Sequence, residues 1–339
     1  VKHMVDDLLQ VLQERLSNTL LPVLQPAIGV GSAFEGWCPY EKDYIVYHLL
    51  VPMKPPRGYV FSLELETTQT PAKDCRIRVD LECTCTAQKM LCTVHNTKKQ
   101  LNWRKQERLS LLDILCTDSY LDVEKVARWF QGLVKEAWVA LPQAREYETK
   151  VTSFSQRSCL LQLTRHCGKT LNLQLMLGVQ QGDTDIFYSS QTGEDTYTPS
   201  TVWKESYAVA ERKFFSHIAR QLPRGKFHLQ CLYLCSHILD GTDITPYVLK
   251  TVFMHLLNGT PMPGRRKWDG ITRVAHILSF LNRCLERKQI NHFFFGNSIM
   301  PKEIILPPHF QTSQPLNLLQ HLVHNPAAHA RAMRQLEQL

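Results

Sequence analysis

Apolar residues recur along this chain with two different periods, and the change between them divides it. Val5, Leu8, Leu9, Leu12 and Leu16 share one face of a 3.6-residue repeat, which predicts an amphipathic helix over about 3 to 20, ahead of Pro22 and Pro26. The run Gly29-Val30-Gly31-Ser32 then reads as a glycine loop. Alternation follows, with extended segments expected at 43 to 52, 59 to 66 and 76 to 86. In the last of these Ile77, Val79, Leu81 and Cys83 face one way and Arg76, Arg78, Asp80 and Glu82 the other, the pattern of a half-buried strand. A helix is predicted over 122 to 141, where Val123, Val126, Ala127, Phe130, Val134, Ala137, Trp138 and Leu141 hold the helical period and Pro142 ends it. Two further strands are expected near 158 to 164 and 170 to 179.

The polar stretch from Gly182 to Pro199 reads as a loop and as the lobe boundary. From Trp203 onward the pattern is helical: one helix through Tyr207, Ala210, Phe214, Ile218 and Leu222, another over Leu229 to Leu239, and a third entered through Thr245-Pro246. A fourth spans about 271 to 288, and Asn325-Pro326 opens a C-terminal one. The expectation is therefore an α+β chain of two lobes, with mixed strands and helices in 1–199 and helices alone in 200–339.

Hydrophobic content of 44% over 339 residues supplies a continuous core and argues against disorder. There is no run of 18 apolar residues and no signal-peptide pattern at the start. Lys and Arg exceed Asp and Glu by 39 to 31, a net charge of +8 that suits an acidic or phosphate-bearing partner. The basic residues are scattered in short groups such as Lys98-Lys99 and Arg265 to Lys267, however, and do not form a nucleic-acid stripe. Eleven cysteines cannot all pair internally; Cys231 and Cys235, inside an apolar helical run, read as buried thiols.

Candidate chemistry centres on Gly31-Ser32 followed by Glu41-Lys42-Asp43. Carboxylates at i and i+2 of a strand project together, as a pair holding divalent ions must, while a glycine-serine loop can cradle a triphosphate. The same pair also suits an ordinary solvated strand. Cys83, Cys85, Cys92 and His95 offer metal-ligand types within a short span, but Cys-x-Cys lacks the spacing of a structural zinc knuckle, and buried or disulfide-forming cysteines are the expectation. Asn258-Gly259-Thr260 is an N-glycosylation sequon.

Four longer segments carry a resemblance. Gly-Val-Gly-Ser-Ala-Phe-Glu-Gly-Trp at 29 to 37, Tyr-Leu-Asp-Val-Glu-Lys-Val-Ala-Arg-Trp-Phe-Gln at 120 to 131, Gly-Val-Gln-Gln-Gly-Asp-Thr-Asp-Ile-Phe at 178 to 187 and His-Phe-Phe-Phe-Gly-Asn at 292 to 297 resemble the inositol trisphosphate receptor-interacting protein-like family. That family is similar to the male-abnormal-21 proteins and cyclic GMP-AMP synthase, so the resemblance implies a bilobed nucleotidyltransferase-like fold: a mixed sheet with flanking helices, then a C-terminal helical lobe.

The resemblance places the phosphate loop on Gly31 and Ser32, the paired metal carboxylates on Glu41 and Asp43, and the third metal carboxylate on Gln174. An amide there carries no charge, which implies a pseudoenzyme without metal or cofactor. Asp80 is a conceivable substitute, although Arg76, Arg78 and Glu82 share its face. In the helical lobe the resemblance implies a phosphate contact at Lys250 and a base-stacking role at Phe280, which equally continues the apolar period of Ile277 and Leu281. The zinc thumb of cyclic GMP-AMP synthase has no counterpart between Phe214 and Cys235, which disfavours double-stranded DNA. The implied role is protein binding in membrane-receptor signalling. The partner would be an inositol trisphosphate receptor or another membrane receptor, and the tether a segment outside this chain, at the plasma membrane. Two alternatives remain: a nucleotide or inositol-phosphate sensor, and an active metal-dependent nucleotidyltransferase.

Overall fold

The computed structural model describes all residues except 39–44, 66–73, 83–110, 153–156, 191–197, 222–225, 260–269 and 339. The chain is α+β and groups into two compact units, Val1–Ala33 with Lys42–Val209, and Phe34–Glu41 with Ala210–Leu339.

In the first unit α1 (Lys2–Leu16) buries Val5, Leu8, Leu9, Leu12 and Leu16, the stripe expected from the sequence. The strands are β1 (Val23–Leu24), β2 (Ile28–Val30), β3 (Val46–Lys54), β4 (Tyr59–Leu65) and β5 (Cys75–Leu81), then β6 (Cys116–Thr117) and β7 (Tyr120–Leu121). After them come β8 (Tyr147–Thr152), β9 (Cys159–Arg165), β10 (Thr170–Gln180), β11 (Phe187–Ser189) and β12 (Val202–Ser206). They join in one sheet whose path runs β1-β3-β10-β11-β12-β5-β7-β6, with β2 against β3, β4 against β5, and β9 between β10 and β8. β3 and β10 run parallel while β2 and β9 flank them antiparallel, so the sheet is mixed. This explains the run Leu49 to Met53: a strand covered on both faces buries consecutive residues, and the alternation disappears.

Two short helices, α2 (Ser32–Glu35) and α3 (Leu111–Leu115), precede α4 (Val123–Trp138), which packs against α1 and against β8 and β9. Asp122 caps α4 by accepting from the amides of Glu124 and Lys125, and also takes the Thr117 and Ser200 hydroxyls. Burial opposes its charge, but these four donors outweigh it and hold the carboxyl below the usual range. Such a cap contributes about 1 kcal/mol.

The sequence reading goes wrong at the end of this unit. Trp203 does not open the helical half; it lies in β12, fully buried, with its indole N–H on the Leu121 carbonyl at 2.8 Å. Likewise the polar stretch after Gly182 contains β11, whose three residues are all buried. Arg157 secures the approach to β12 by donating to the carbonyls of Thr198, Pro199 and Val202. Long-range pairing thus overrides local polarity.

The second unit contains most of α5 (Ala208–Gln221), then α6 (Lys226–Ile238), α7 (Pro246–Gly259), α8 (Gly270–Glu286), α9 (Pro308–Thr312), α10 (Gln320–His324) and α11 (Pro326–Glu337). The expected caps are present: Thr245 Oγ1 accepts from Val248, and Asn325 Oδ1 from Ala328. Phe293, Phe294 and Phe295 are buried, with Phe293 edge-on to Phe214 at 4.7 Å and Phe295 stacked on Phe310 at 4.2 Å. Each such burial stabilises by roughly 2 kcal/mol, so the aromatic motif at 292 to 297 acts through packing. Gly296 closes it at φ +64°, where a Cβ would meet Pro315 Cγ at 3.0 Å.

Candidate functional site

The Gly31 and Ser32 positions lie where β2 leaves the sheet: Gly29 and Val30 are strand residues, Gly31 turns the chain at φ +76°, and Ser32 begins α2. A side chain at Gly31 would face the His48 imidazole, whose Nδ1 lies 3.8 Å from an ideal Cβ. His48 is also the register partner of Val30 on one side and of Gln174 on the other. Lateral neighbours in a sheet project from the same face, so His48 and Gln174 stand side by side beneath the glycine turn. Two residues further along the same face, Leu50 and Met176 join the apolar cluster of Val30, Phe187 and Val209.

Among the described residues, the resulting site carries no charge at its centre. Burial pushes the His48 imidazole below its ordinary value, so it is neutral at pH 7, and Gln174 offers only an amide. Glu41 and Asp43 lie outside the described residues. Asp80, the conceivable substitute, is three strands from β10 along the sheet path, about 14 Å at ordinary strand spacing. It accepts from Ser62 and Arg78 instead, a surface network at the β4 and β5 edge. Among the described residues no group of three or more His, Cys, Asp or Glu could hold a metal ion. The cysteine and histidine set from Cys83 to His95 falls outside them.

In the second unit Lys250 sits at the centre of a buried ionic cluster. Its ammonium donates to Glu35 Oε1 at 2.7 Å and to Glu211 Oε2, and Glu35 also accepts the Trp37 indole N–H at 2.6 Å. All three charged side chains are less than a tenth exposed. Burial raises the Glu35 carboxyl, Lys250 opposes that and Glu211 adds to it. For Lys250, burial favours the neutral amine, but the two carboxylates outweigh it and raise the ammonium. The ammonium is therefore held by two internal carboxylates.

Phe280 is half-buried on α8, lining a cavity with Arg283 and Arg287. Asn258, the sequon residue, donates its amide to the Ile299 carbonyl at 2.9 Å. Cys231 and Cys235 are buried free thiols, burial pushing Cys235 up to about 12.

The sequence reading missed His48, Glu35 and Glu211. Each had a faint signal, a polar residue at an apolar beat of a strand or helix, but the partners that give it meaning come from register and long-range packing. Among the described residues no helix is long and apolar enough to cross a membrane.

No family model matches the chain. Curated proteins do. The chain is 33% identical over 353 residues to "Inositol 1,4,5-trisphosphate receptor-interacting protein-like 1" of Rattus norvegicus, covering 100% of this chain and 64% of that protein. It is 30% identical over 348 residues to "Inositol 1,4,5-trisphosphate receptor-interacting protein" of Homo sapiens, covering 94% and 62%. The Takifugu rubripes protein of the same name is 28% identical, covering 100% and 67%. The chain thus spans less than two thirds of the length of the rat and human relatives. Across its whole length, the chain is a homologue of the inositol 1,4,5-trisphosphate receptor-interacting proteins and their like-1 relatives.

Proposed function

We propose that this chain is a catalytically degenerate nucleotidyltransferase-like module that works by binding a membrane receptor, the inositol 1,4,5-trisphosphate receptor in the first instance. The relatives' names supply the receptor. The observation that carries the degenerate reading is the pairing of Gln174 with His48 across β10 and β3 under the Gly31 turn. Mg²⁺ prefers carboxylate and water oxygens, and a two-ion phosphoryl-transfer site needs anionic ligands to grip and neutralise it. A neutral imidazole and an amide offer neither, so even with Glu41 and Asp43 contributing, the anionic ligand set stays short.

A binding role asks less of the chain: a stable scaffold and an accessible face. The buried ionic cluster and the aromatic core of the second unit supply rigidity, and the net charge of +8 favours an acidic partner surface. Membrane association belongs to the same proposal and follows from the receptor partner.

The test has two arms. Immobilised chain is titrated with purified receptor domains, and labelled ATP or GTP is incubated with it in Mg²⁺ and Mn²⁺. Saturable receptor binding with no nucleotide turnover is expected. Turnover that Gln174→Ala or His48→Ala abolishes would overturn the degenerate reading, and absence of saturable binding at micromolar concentration would overturn the receptor reading.

A further inference from the structure

One cavity in the second unit brings together two arginines that share no carboxylate. Arg283, in the last turn of α8, and Arg287, in the turn just past its end, are both exposed and line a cavity of about 440 Å³ with Phe280, His255, Gln289 and Asn291. Cys284 and Ile290 complete the lining, and none of these residues is acidic. Glu286, the carboxylate between the two arginines in sequence, accepts the Asn282 amide at 2.8 Å. Among the described residues neither guanidinium forms an ion pair with Asp or Glu.

This arrangement has a small energetic cost without a ligand. Like charges one helical turn apart repel by a few tenths of a kcal/mol. Arg283 is held in place by the Phe280 ring, its guanidinium carbon 5.6 Å from the centroid. The field of both arginines reaches the cavity lining: burial raises the Cys284 thiol, and Arg283 and Arg287 act against that rise. Two guanidinium groups on one wall, an aromatic ring beside them and two amide side chains nearby form a set with donors in excess.

We propose that this cavity binds a small phosphorylated organic ligand. Arg283 and Arg287 take the phosphate oxygens, because a guanidinium fork matches that geometry in bidentate fashion. Phe280 packs against the organic part, while Gln289 and Asn291 offer hydrogen bonds to its hydroxyl or ring groups. The volume lies within the range of small-molecule sites, about 300–1,000 Å³. The proposal stands or falls independently of the receptor reading, since no receptor contact enters it.

Calorimetric titration of the full chain with inorganic phosphate, ADP and inositol trisphosphate tests it, on the wild type and on three variants: Arg283→Gln with Arg287→Gln, Phe280→Leu, and the exposed control Arg331→Gln. Circular dichroism confirms that each remains folded. At least one organic phosphate is expected to bind one to one, more tightly than inorganic phosphate and less tightly as salt rises. The double arginine variant should weaken it at least thirtyfold, Phe280→Leu should weaken the organic probe about tenfold while sparing inorganic phosphate, and Arg331→Gln should change nothing. The proposal is overturned if no organic phosphate binds more tightly than inorganic phosphate, or if the double variant binds as the wild type does.

Discussion

Lys250 and Glu35 lie 215 positions apart in sequence and meet at 2.7 Å, with side chains 9% and 0% exposed. Glu211 completes the cluster on the other side of the ammonium. Removing the cation strands two carboxylates in a buried site, and breaking a buried pair in this way costs about 3–5 kcal/mol. Lys250→Met should therefore lower the unfolding free energy by that much, and the urea midpoint with it. The variant should regain part of the loss on acidification, because Glu35, already raised by burial, is stabilised in the folded state when protonated. Urea titrations at pH 7 and pH 5 check both statements.

His48 and Gln174 set the second prediction, since their neutrality is the feature that departs from a metal site. Replacing both by Asp places two carboxylates side by side on β3 and β10. Mn²⁺ affinity, read from the electron paramagnetic resonance of the free ion, should rise at least tenfold. A wild-type chain that already binds two Mn²⁺ ions tightly would count decisively against the degenerate reading.

His292 is buried between Tyr247 and the Phe294 amide, and burial pushes its imidazole down to about 3. The unfolded chain takes up a proton near 6.5 that the folded chain refuses. Stability from this group is present above pH 6.5 and is lost as pH falls toward 3, by roughly 1 kcal/mol per unit. Unfolding free energies measured from pH 7 to pH 4 should show that slope, and His292→Gln should flatten it.

Thiol accessibility gives a fourth check on the packing. Cys167 is exposed, whereas Cys159 and Cys235 are buried, with burial pushing both up to about 12. Brief maleimide treatment at pH 7 followed by peptide mapping should find Cys167 labelled. Cys159 and Cys235 should label only in denaturant, because the thiolate is the reactive form.

The legibility of the chain follows from the range of the interactions involved. The α1 stripe from Val5 to Leu16 and the α4 stripe from Val123 to Trp138 were readable because a helix repeats its burial every turn. So were β4, β9 and β10, whose limits fall within a residue or two of expectation, and β5 as far as Leu81, while 83 to 86 of the expected 76 to 86 lie outside the described residues. β11, β12 and the true environment of Trp203 were not, because what makes those short segments strands is a neighbouring strand from elsewhere in the chain.

The site divides in the same way. Gly31 could be singled out from its glycine loop and Gln174 from the resemblance, and the absence of charge at position 174 is a property of the sequence alone. That His48 would stand beside Gln174 depends on a parallel register between strands more than a hundred residues apart. That Lys250 would face two carboxylates depends on helix packing. Local periodicity is written in neighbouring residues; which side chains share a dry site, and so which charges survive there, is decided only when distant segments exclude water together.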